Sequence, residues 1–273
     1  MLTAFIKTIN MFKTVTRRRG ALHAIDLLST MIIEKLPGPL ARGIPGRKKE
    51  LFYWEKQITG AGAFASAMVL RVNRASQKDL FPTEMLEIVD RVKKEFPERK
   101  MPLVLDVGSG PISLLTWGFH EGFFDLVTVD PLADDYAKLL KAYGHDAAVG
   151  SIKSIQSVSE DMSRFIVQGS FDIVYCNNAL DHTTSPRRSL EEMVKAVKSG
   201  GYIMISGRSH EGSHEGFDAI HQHDLYLENG TLMRKGKDTE GEPLTSGLNL
   251  DTVSAVTPKD FFGKMRIVLK KMD

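Results

Sequence analysis

From Leu103 onward, five short apolar runs of β type recur between helical patterns, and this alternation restricts the fold more than any other feature of the chain. The runs are LVLDV (103–107), LVTVD (126–130), DAAVG (146–150), FDIVYC (171–176) and GYIMIS (201–206). Strands joined through helices return to the same end of the sheet and therefore pair in parallel. The helix between the last two runs is well marked. Ser185 stands at its cap, Pro186 at its first position, Leu190, Met193, Val194 and Val197 on one face, and Ser199-Gly200-Gly201 at its end. Beyond the fifth run, Asn229-Gly230 lies between two extended segments and predicts a hairpin. DTVSAV and MRIVLKKM then predict two further strands that close the sheet antiparallel. The expectation is an α/β fold: a mostly parallel seven-stranded sheet with helices on both faces and an N-terminal helical cap.

The 273 residues suffice for one well-filled core with an appended segment. Charge is unevenly placed along them. Residues 1–50 carry ten Lys and Arg against three Asp and Glu, which leaves 26 against 31 in the remainder. The expected organisation is a basic helical arm and loop over 1–50, then a domain over 51–273 with an insertion at 207–250. In the arm, Leu2, Phe5, Ile6, Ile9 and Phe12 recur as one helical face, which predicts a docked helix with a solvated basic end. The same helix is a candidate for peripheral contact with a membrane surface. LPGPLARGIPGRKK reads as a loop, KKELFYWEKQITGAGAF as a short aromatic helix, and FPTEMLEIVDRVKKEF as a helix burying Met85, Leu86, Val89 and Val92. A single cysteine, Cys176, excludes an internal disulfide, and no apolar run reaches the length of a membrane span, so a cytoplasmic protein is expected.

The first β-type run leads into VLDVGSGPIS (104–113), a βα turn whose close glycines let backbone approach a nucleotide-like ligand. A pyrophosphate there needs free N–H groups at a helix start and no carboxylate nearby. This chain has Asp106 two residues before Gly108, Pro111 where an N–H would be offered, and Ser113 in place of a third glycine. These features suit a ligand that lacks phosphates and carries positive charge, as S-adenosylmethionine does. Asp130, 22 positions after Gly108, can accept ribose hydroxyls, as the corresponding carboxylate of a dinucleotide enzyme also does. An NAD-dependent oxidoreductase is therefore the competing enzyme class, and a non-catalytic binding subunit the competing non-enzyme.

At these residues the sequence resembles the class I S-adenosylmethionine-dependent methyltransferases, whose first motif is hydrophobic-hydrophobic-Asp-x-Gly-x-Gly. FDIVYCNNALDHTTSPRRSLEEMVKAVKSGGYIMISG is similar to the family's fourth strand, helix and fifth strand. KELFYWEKQITGAG and HEGFDAIHQHDLYLENGTL resemble flanking elements of a bacterial group found among glycan genes, with His223 where that group usually has Trp. The resemblance implies a Rossmann-like fold and methyl transfer from S-adenosyl-L-methionine, yielding S-adenosyl-L-homocysteine, to an oxygen or less readily a nitrogen of a small molecule or sugar. It also implies a cofactor site at Asp106, Gly108, Ser109, Gly110, Asp130, Pro131, Ser151, Ile152, Asn177 and Asn178, with Ala179 and Leu180 beside them. A nucleic-acid substrate is not expected, because the body of the chain is net acidic.

A hydroxyl acceptor must lose a proton, and two histidines are placed to assist. His182 follows Asp181 at the end of the fourth strand, and His221 lies in the insertion. The expectation is His182 as base, His221 orienting the acceptor, and Asp181 as the remaining candidate. His210, His214, His221 and His223 crowd one acidic segment, but none forms a recognisable metal motif, and no metal is expected. Tyr53 and Trp54 are expected to be packed aromatics, Arg71 a solvated cation and Cys176 a buried small side chain.

Overall fold

The computed structural model describes residues 2–33, 46–217 and 220–273. Along the chain lie α1 (Leu2–Arg19), α2 (Ala21–Ile33), α3 (Gly46–Ile58), α4 (Ala65–Val72), α5 (Glu84–Glu95), β1 (Leu103–Val107), α6 (Thr116–His120), β2 (Asp125–Asp130) and α7 (Ala133–Tyr143). β3 (Lys153–Gln156), β4 (Phe171–Asn177), α8 (Pro186–Ala196), β5 (Val197–Arg208) and α9 (Glu211–His214) follow, then β6 (Asp224–Glu228), β7 (Thr231–Lys235), β8 (Glu242–Pro243), β9 (Leu250–Val256) and β10 (Lys264–Lys271). Backbone contacts divide the chain into residues 1–80 with 134–150 and residues 81–133 with 151–273. The division thus falls after Leu80, not at residue 50, and α7 belongs with the helices of the first unit.

In the first unit the expected apolar face of α1 is not the buried one. Ile6 and Ile9 are exposed, whereas Met11 and Val15, one turn apart, are fully buried together with Ala24 and Leu27 of α2. The side chains of Leu2 and Phe5, and the expected loop as far as residue 45, lie outside the described residues. Glu55 of α3 is buried completely. It is stabilised by the ring of His23, whose Nε2 lies 2.7 Å from its Oε2, and by the Tyr143 hydroxyl, which donates to Oε1 at 2.7 Å. Tyr53 and Trp54 meet edge to face at half-buried positions, and the Arg71 guanidinium sits 5.2 Å from the Trp54 ring, so this cation is not simply solvated. No described helix is long and apolar enough to cross a membrane.

The second unit contains the expected seven-stranded sheet in the order β3-β2-β1-β4-β5-β10-β9. β1 to β5 pair in parallel, while β10 runs antiparallel to both β5 and β9. The central strand β4 is buried over six of its seven residues, which explains its almost wholly apolar sequence. Helix α8 buries Leu190 and Met193 as its periodicity predicts, and the Ser185 side chain accepts from the Arg188 N–H. Helix α5 buries Met85, Ile88, Val89 and Val92, so Ile88 replaces Leu86 in the buried set. The insertion forms a separate three-stranded sheet, β6-β7-β8. Its first turn has Asn229 at φ 49° and Gly230 at φ 78°, the two positive angles that a tight two-residue hairpin requires.

Two local expectations are corrected. DAAVG is not the third strand: Asp146–Ala148 form a 3₁₀ turn, and the strand is the following Lys153–Gln156. Alanine and aspartate favour turns over a pleated surface, and the actual β3 is an exposed edge strand without the apolar signal of a buried one. Nor does a helix begin at Pro111; α6 starts at Thr116 and has only five residues. The intervening stretch is shaped by Ser113, whose Oγ accepts from the Leu115 N–H at 2.9 Å while the Thr116 hydroxyl donates to its carbonyl at 2.8 Å.

The starts of β1, β4 and β5 are joined by Asp172. Its buried carboxylate accepts the Leu103 N–H at 2.7 Å and pairs with Lys198. Asp172→Ala leaves a half-buried N–H and a largely covered ammonium without this carboxylate. It is expected to cost about 3 kcal/mol in urea unfolding; unchanged stability would remove Asp172 from this role.

Candidate active site

All parallel strands of the second unit end at one edge of the sheet, where Val107, Val129 and Cys176 stand in register, as do Asp130 with Gln156 and Asn177 with Ser206. The glycine turn caps β1 there. Gly108 has φ 74° and Gly110 φ 63°, conformations that cost other residues strain. Gly108 is also closely packed, because a Cβ on it would lie 2.3 Å from the Cβ of Ala179 after β4. Its N–H donates to Val129 O at 2.8 Å.

Two buried aspartates flank the turn. Asp106 accepts the Ser113 hydroxyl at 2.5 Å. Asp130 accepts the Gly110 N–H on Oδ2 at 3.0 Å and the Leu132 N–H on Oδ1 at 2.8 Å. The N–H groups of both glycines are therefore already engaged by protein acceptors, and no helix begins beside them. This turn presents carboxylate charge to a ligand, the reverse of a pyrophosphate cradle. Ser109 donates its hydroxyl to Gly110 O at 3.1 Å, and Pro131 directly follows Asp130.

Asn177 and Asn178 extend β4 toward the same edge. Asn177 Oδ1 accepts the Ser206 hydroxyl at 2.8 Å. Asn178 adopts φ 51°, and its Oδ1 accepts the Arg208 N–H at 3.0 Å, so its side chain is turned onto β5. Ser151 and Ile152 precede β3 and consequently lie at its opposite end from the glycine turn; this expectation depended on the displaced strand assignment. Ser157 and Val158 occupy the position that was meant, with Val158 exposed. Glu160 follows close behind, and its Oε1 accepts the N–H groups of Thr184 and Ser185 ahead of α8.

The structure brings Asp181, His182 and His221 into one cluster. His221 Nδ1 lies 2.7 Å from Asp181 Oδ2, His182 Nε2 lies 3.4 Å from the same oxygen, and the two ring nitrogens are 3.1 Å apart. A 3₁₀ turn directly after β4 carries Asp181 and His182, and the Gln222 N–H donates to Asp181 O, anchoring the insertion on that turn. Burial alone would raise the Asp181 pKa, but the hydrogen bond from His221 and the two imidazole charges hold it below its ordinary value. Burial lowers the pKa of His182, with the His221 charge adding to it against the pull of Asp181. For His221 burial again acts downward, yet the hydrogen bond and charge of Asp181, with Glu211 and Glu215, leave it raised.

The other histidines of the segment do not join this cluster. His223 is buried, facing Thr183 O at 3.0 Å through Nε2 and receiving the Arg234 Nε–H at 3.2 Å on Nδ1, which makes it a satisfied structural histidine. His210 is stacked between Tyr226 and Phe261, with centroids 4.7 and 3.9 Å away, and His214 packs against Phe262. Cys176 is buried, and burial with the charges of Asp106 and Asp181 pushes its thiol pKa up, so it is a packing residue and not a nucleophile. Glu211, one of the acidic residues of the histidine-rich segment, lies close enough for its charge to bear on both His182 and His221.

Residues 105–205, the stretch from β1 to β5, match the family model of a methyltransferase domain. The core of the sheet thus resembles a methyltransferase domain. The glycine turn, Asp130 and the Asp181 cluster all lie within this domain or in the insertion that follows it. Over 129 residues the chain is 28% identical to the ubiquinone biosynthesis O-methyltransferase of Xanthomonas oryzae pv. oryzae (strain PXO99A), covering 46% of this chain and 52% of that protein. The chain thus spans about half the length of the curated relatives it matches. Among solved structures, the CurJ carbon methyltransferase aligns with a TM-score of 0.51 at 13% identity, over 93% of this chain and 72% of that one, a likeness of fold. The N-methyltransferase NodS from Bradyrhizobium japonicum WM9, solved with S-adenosyl-L-homocysteine, aligns with a TM-score of 0.44 at 12% identity over 70% and 87% of the two chains.

Gly108 and Gly122 have the same φ of 74°, but a Cβ on Gly122 would meet nothing within 4 Å. Gly122→Ala is expected to cost about 1 kcal/mol of stability through strain alone. Gly108→Ala, which must also displace Ala179, should cost at least about 1 kcal/mol more. Equal losses in thermal or urea unfolding would show that the turn is not packed against Ala179.

Proposed function

We propose that the chain transfers a methyl group from S-adenosyl-L-methionine to a hydroxyl oxygen of a small molecule or sugar. The observation that carries this reading is the glycine turn itself: its two N–H groups are taken up by protein acceptors, and two buried carboxylates stand beside it. A cationic, phosphate-free cofactor gains from such a site, whereas NAD would bring its pyrophosphate to a turn whose glycine N–H groups are already taken, beside the carboxylate of Asp106. Asp130 engages the Gly110 and Leu132 N–H groups through separate oxygens, and a carboxylate oxygen can accept more than one hydrogen bond, which suits a ribose hydroxyl at this position. Asp106, Gly108, Ser109, Gly110 and Asn177 surround the amino-acid and sulfur end, Pro131 adjoins the ribose, and Ser157 and Val158 replace Ser151 and Ile152 on the adenine side. The side chain of Asn178 is committed to β5 and contributes through its backbone.

The sulfonium is already electrophilic, so the protein must align acceptor, methyl and sulfur and assist the loss of the acceptor proton. Asp181, His182 and His221 supply that assistance as one unit. Because both rings converge on one oxygen of Asp181, a division into a base and a separate orienting residue gives way to a shared role. An oxygen acceptor agrees with the likeness to the Xanthomonas O-methyltransferase.

Calorimetry should show S-adenosyl-L-homocysteine binding and no NAD binding. Asp130→Ala should weaken S-adenosyl-L-homocysteine by about 10- to 100-fold, or roughly 1 to 3 kcal/mol, in protein shown by circular dichroism to remain folded. Binding of NAD, or undiminished affinity in the variant, would contradict the assignment.

S-adenosyl-L-homocysteine release can be followed against a panel of phenolic and sugar hydroxyl acceptors. His182→Ala and His221→Ala should each lose about 100-fold or more in turnover, and the double variant should be little worse than either single one. Strictly multiplying losses would show independent roles. Cofactor binding without turnover on any acceptor would favour a non-catalytic binding subunit.

A further inference from the structure

We propose that Asp181, His182 and His221 form a binding site for a divalent transition-metal ion, whose open positions take the acceptor oxygen. The proposal rests on the reading of this cluster as the acceptor end of a methyl-transfer site.

Its basis is the mutual arrangement of three ligand atoms. Asp181 Oδ2, His182 Nε2 and His221 Nδ1 are separated by 2.7, 3.1 and 3.4 Å. Ligands bound at about 2.1 Å stand about 3 Å apart at adjacent octahedral positions and about 3.4 Å apart at tetrahedral ones. The three separations fall around this range, and two imidazoles with one carboxylate are a donor set suited to Zn²⁺, Mn²⁺, Fe²⁺ or Co²⁺ more than to Mg²⁺ or Ca²⁺.

Hydrogen bonding alone serves the cluster poorly. If His221 Nδ1 carries a proton, that proton points well at Asp181 and leaves the His182 nitrogen facing an occupied N–H at 3.1 Å. If His182 Nε2 carries one instead, it can donate to His221 Nδ1 at 3.1 Å, but the unprotonated Nδ1 then faces the Asp181 Oδ2 lone pairs at 2.7 Å. One cation satisfies all three atoms at once. A second feature is independent of the triad: Glu211 Oε2 is buried with no hydrogen-bond partner among the described residues, and the Glu211 charge bears on both rings. It adds negative charge near the site, which favours a cation there.

Three protein ligands leave coordination positions open. An acceptor hydroxyl bound there becomes more acidic. It loses its proton to solvent as the oxygen–carbon bond forms and the sulfur–carbon bond breaks, which leaves a methyl ether and a neutral thioether.

The test uses the full chain freed of metal with EDTA and titrated with Co²⁺ and, separately, Mn²⁺. The expected result is one Co²⁺ per chain, with visible absorption bands of a nitrogen- and oxygen-ligated ion, and imidazole nitrogen coupling in pulsed EPR of the Mn²⁺ form. Asp181→Asn and His221→Gln should each weaken Co²⁺ by at least about 10-fold. Absence of stoichiometric Co²⁺ binding, absence of imidazole coupling, or equal binding by folded His221→Gln protein would overturn the proposal. S-adenosyl-L-homocysteine calorimetry on the metal-free protein judges the methyltransferase reading independently, since the residues assigned to the cofactor are not the proposed ligands.

Discussion

The edge of the sheet that carries the glycine turn depends on the carboxylate of Asp130. Placed at the end of β2, it draws in the Gly110 N–H from the neighbouring turn and the Leu132 N–H from its own chain. In one contact it fixes the left-handed turn after β1 and consumes the donor that a phosphate would need. The geometry of the turn and its electrostatic preference therefore have one cause. Gly108 adds the steric half of the constraint, because Ala179 occupies the space that any larger residue would require and so couples the turn to the end of β4.

From β4 the chain continues into the 3₁₀ turn of Asp181 and His182, and the insertion returns His221 to the same point. Asp181 is nearly fully buried, and a carboxylate is kept charged in such a place only by close positive or donating partners. Two imidazoles 39 residues apart in sequence provide them. The insertion is thus tied to the sheet through the same atoms that give the edge its chemistry, and His223 pins it a second time through Thr183 and Arg234.

Much of this was legible in the sequence because the signals were strong and local. Buried parallel strands such as FDIVYC need apolar side chains on both faces, the Ser185-Pro186 cap obeys a local rule, and Asn229-Gly230 has few alternatives to a tight turn. β3 was missed because an edge strand need bury little, and KSIQ carries less apolar character than the DAAVG before it. The expectation for Ser151 and Ile152 was displaced with it. The buried face of α1 was misjudged for a related reason: packing within the first unit selected Met11 and Val15, although the longer apolar row contains Ile6 and Ile9. At the site, glycine spacing and strand ends located each residue, but the meeting of His182 with His221 depends on how the insertion folds back. No spacing rule encodes it.

The most direct measurement is a crystal structure of the chain with S-adenosyl-L-homocysteine. The account predicts the ribose hydroxyls on Asp130, the homocysteine carbons over Gly108 to Gly110, and the sulfur on the side of the site that faces Asp181, His182 and His221. Ligand density elsewhere, or a sulfur directed away from that cluster, would contradict it.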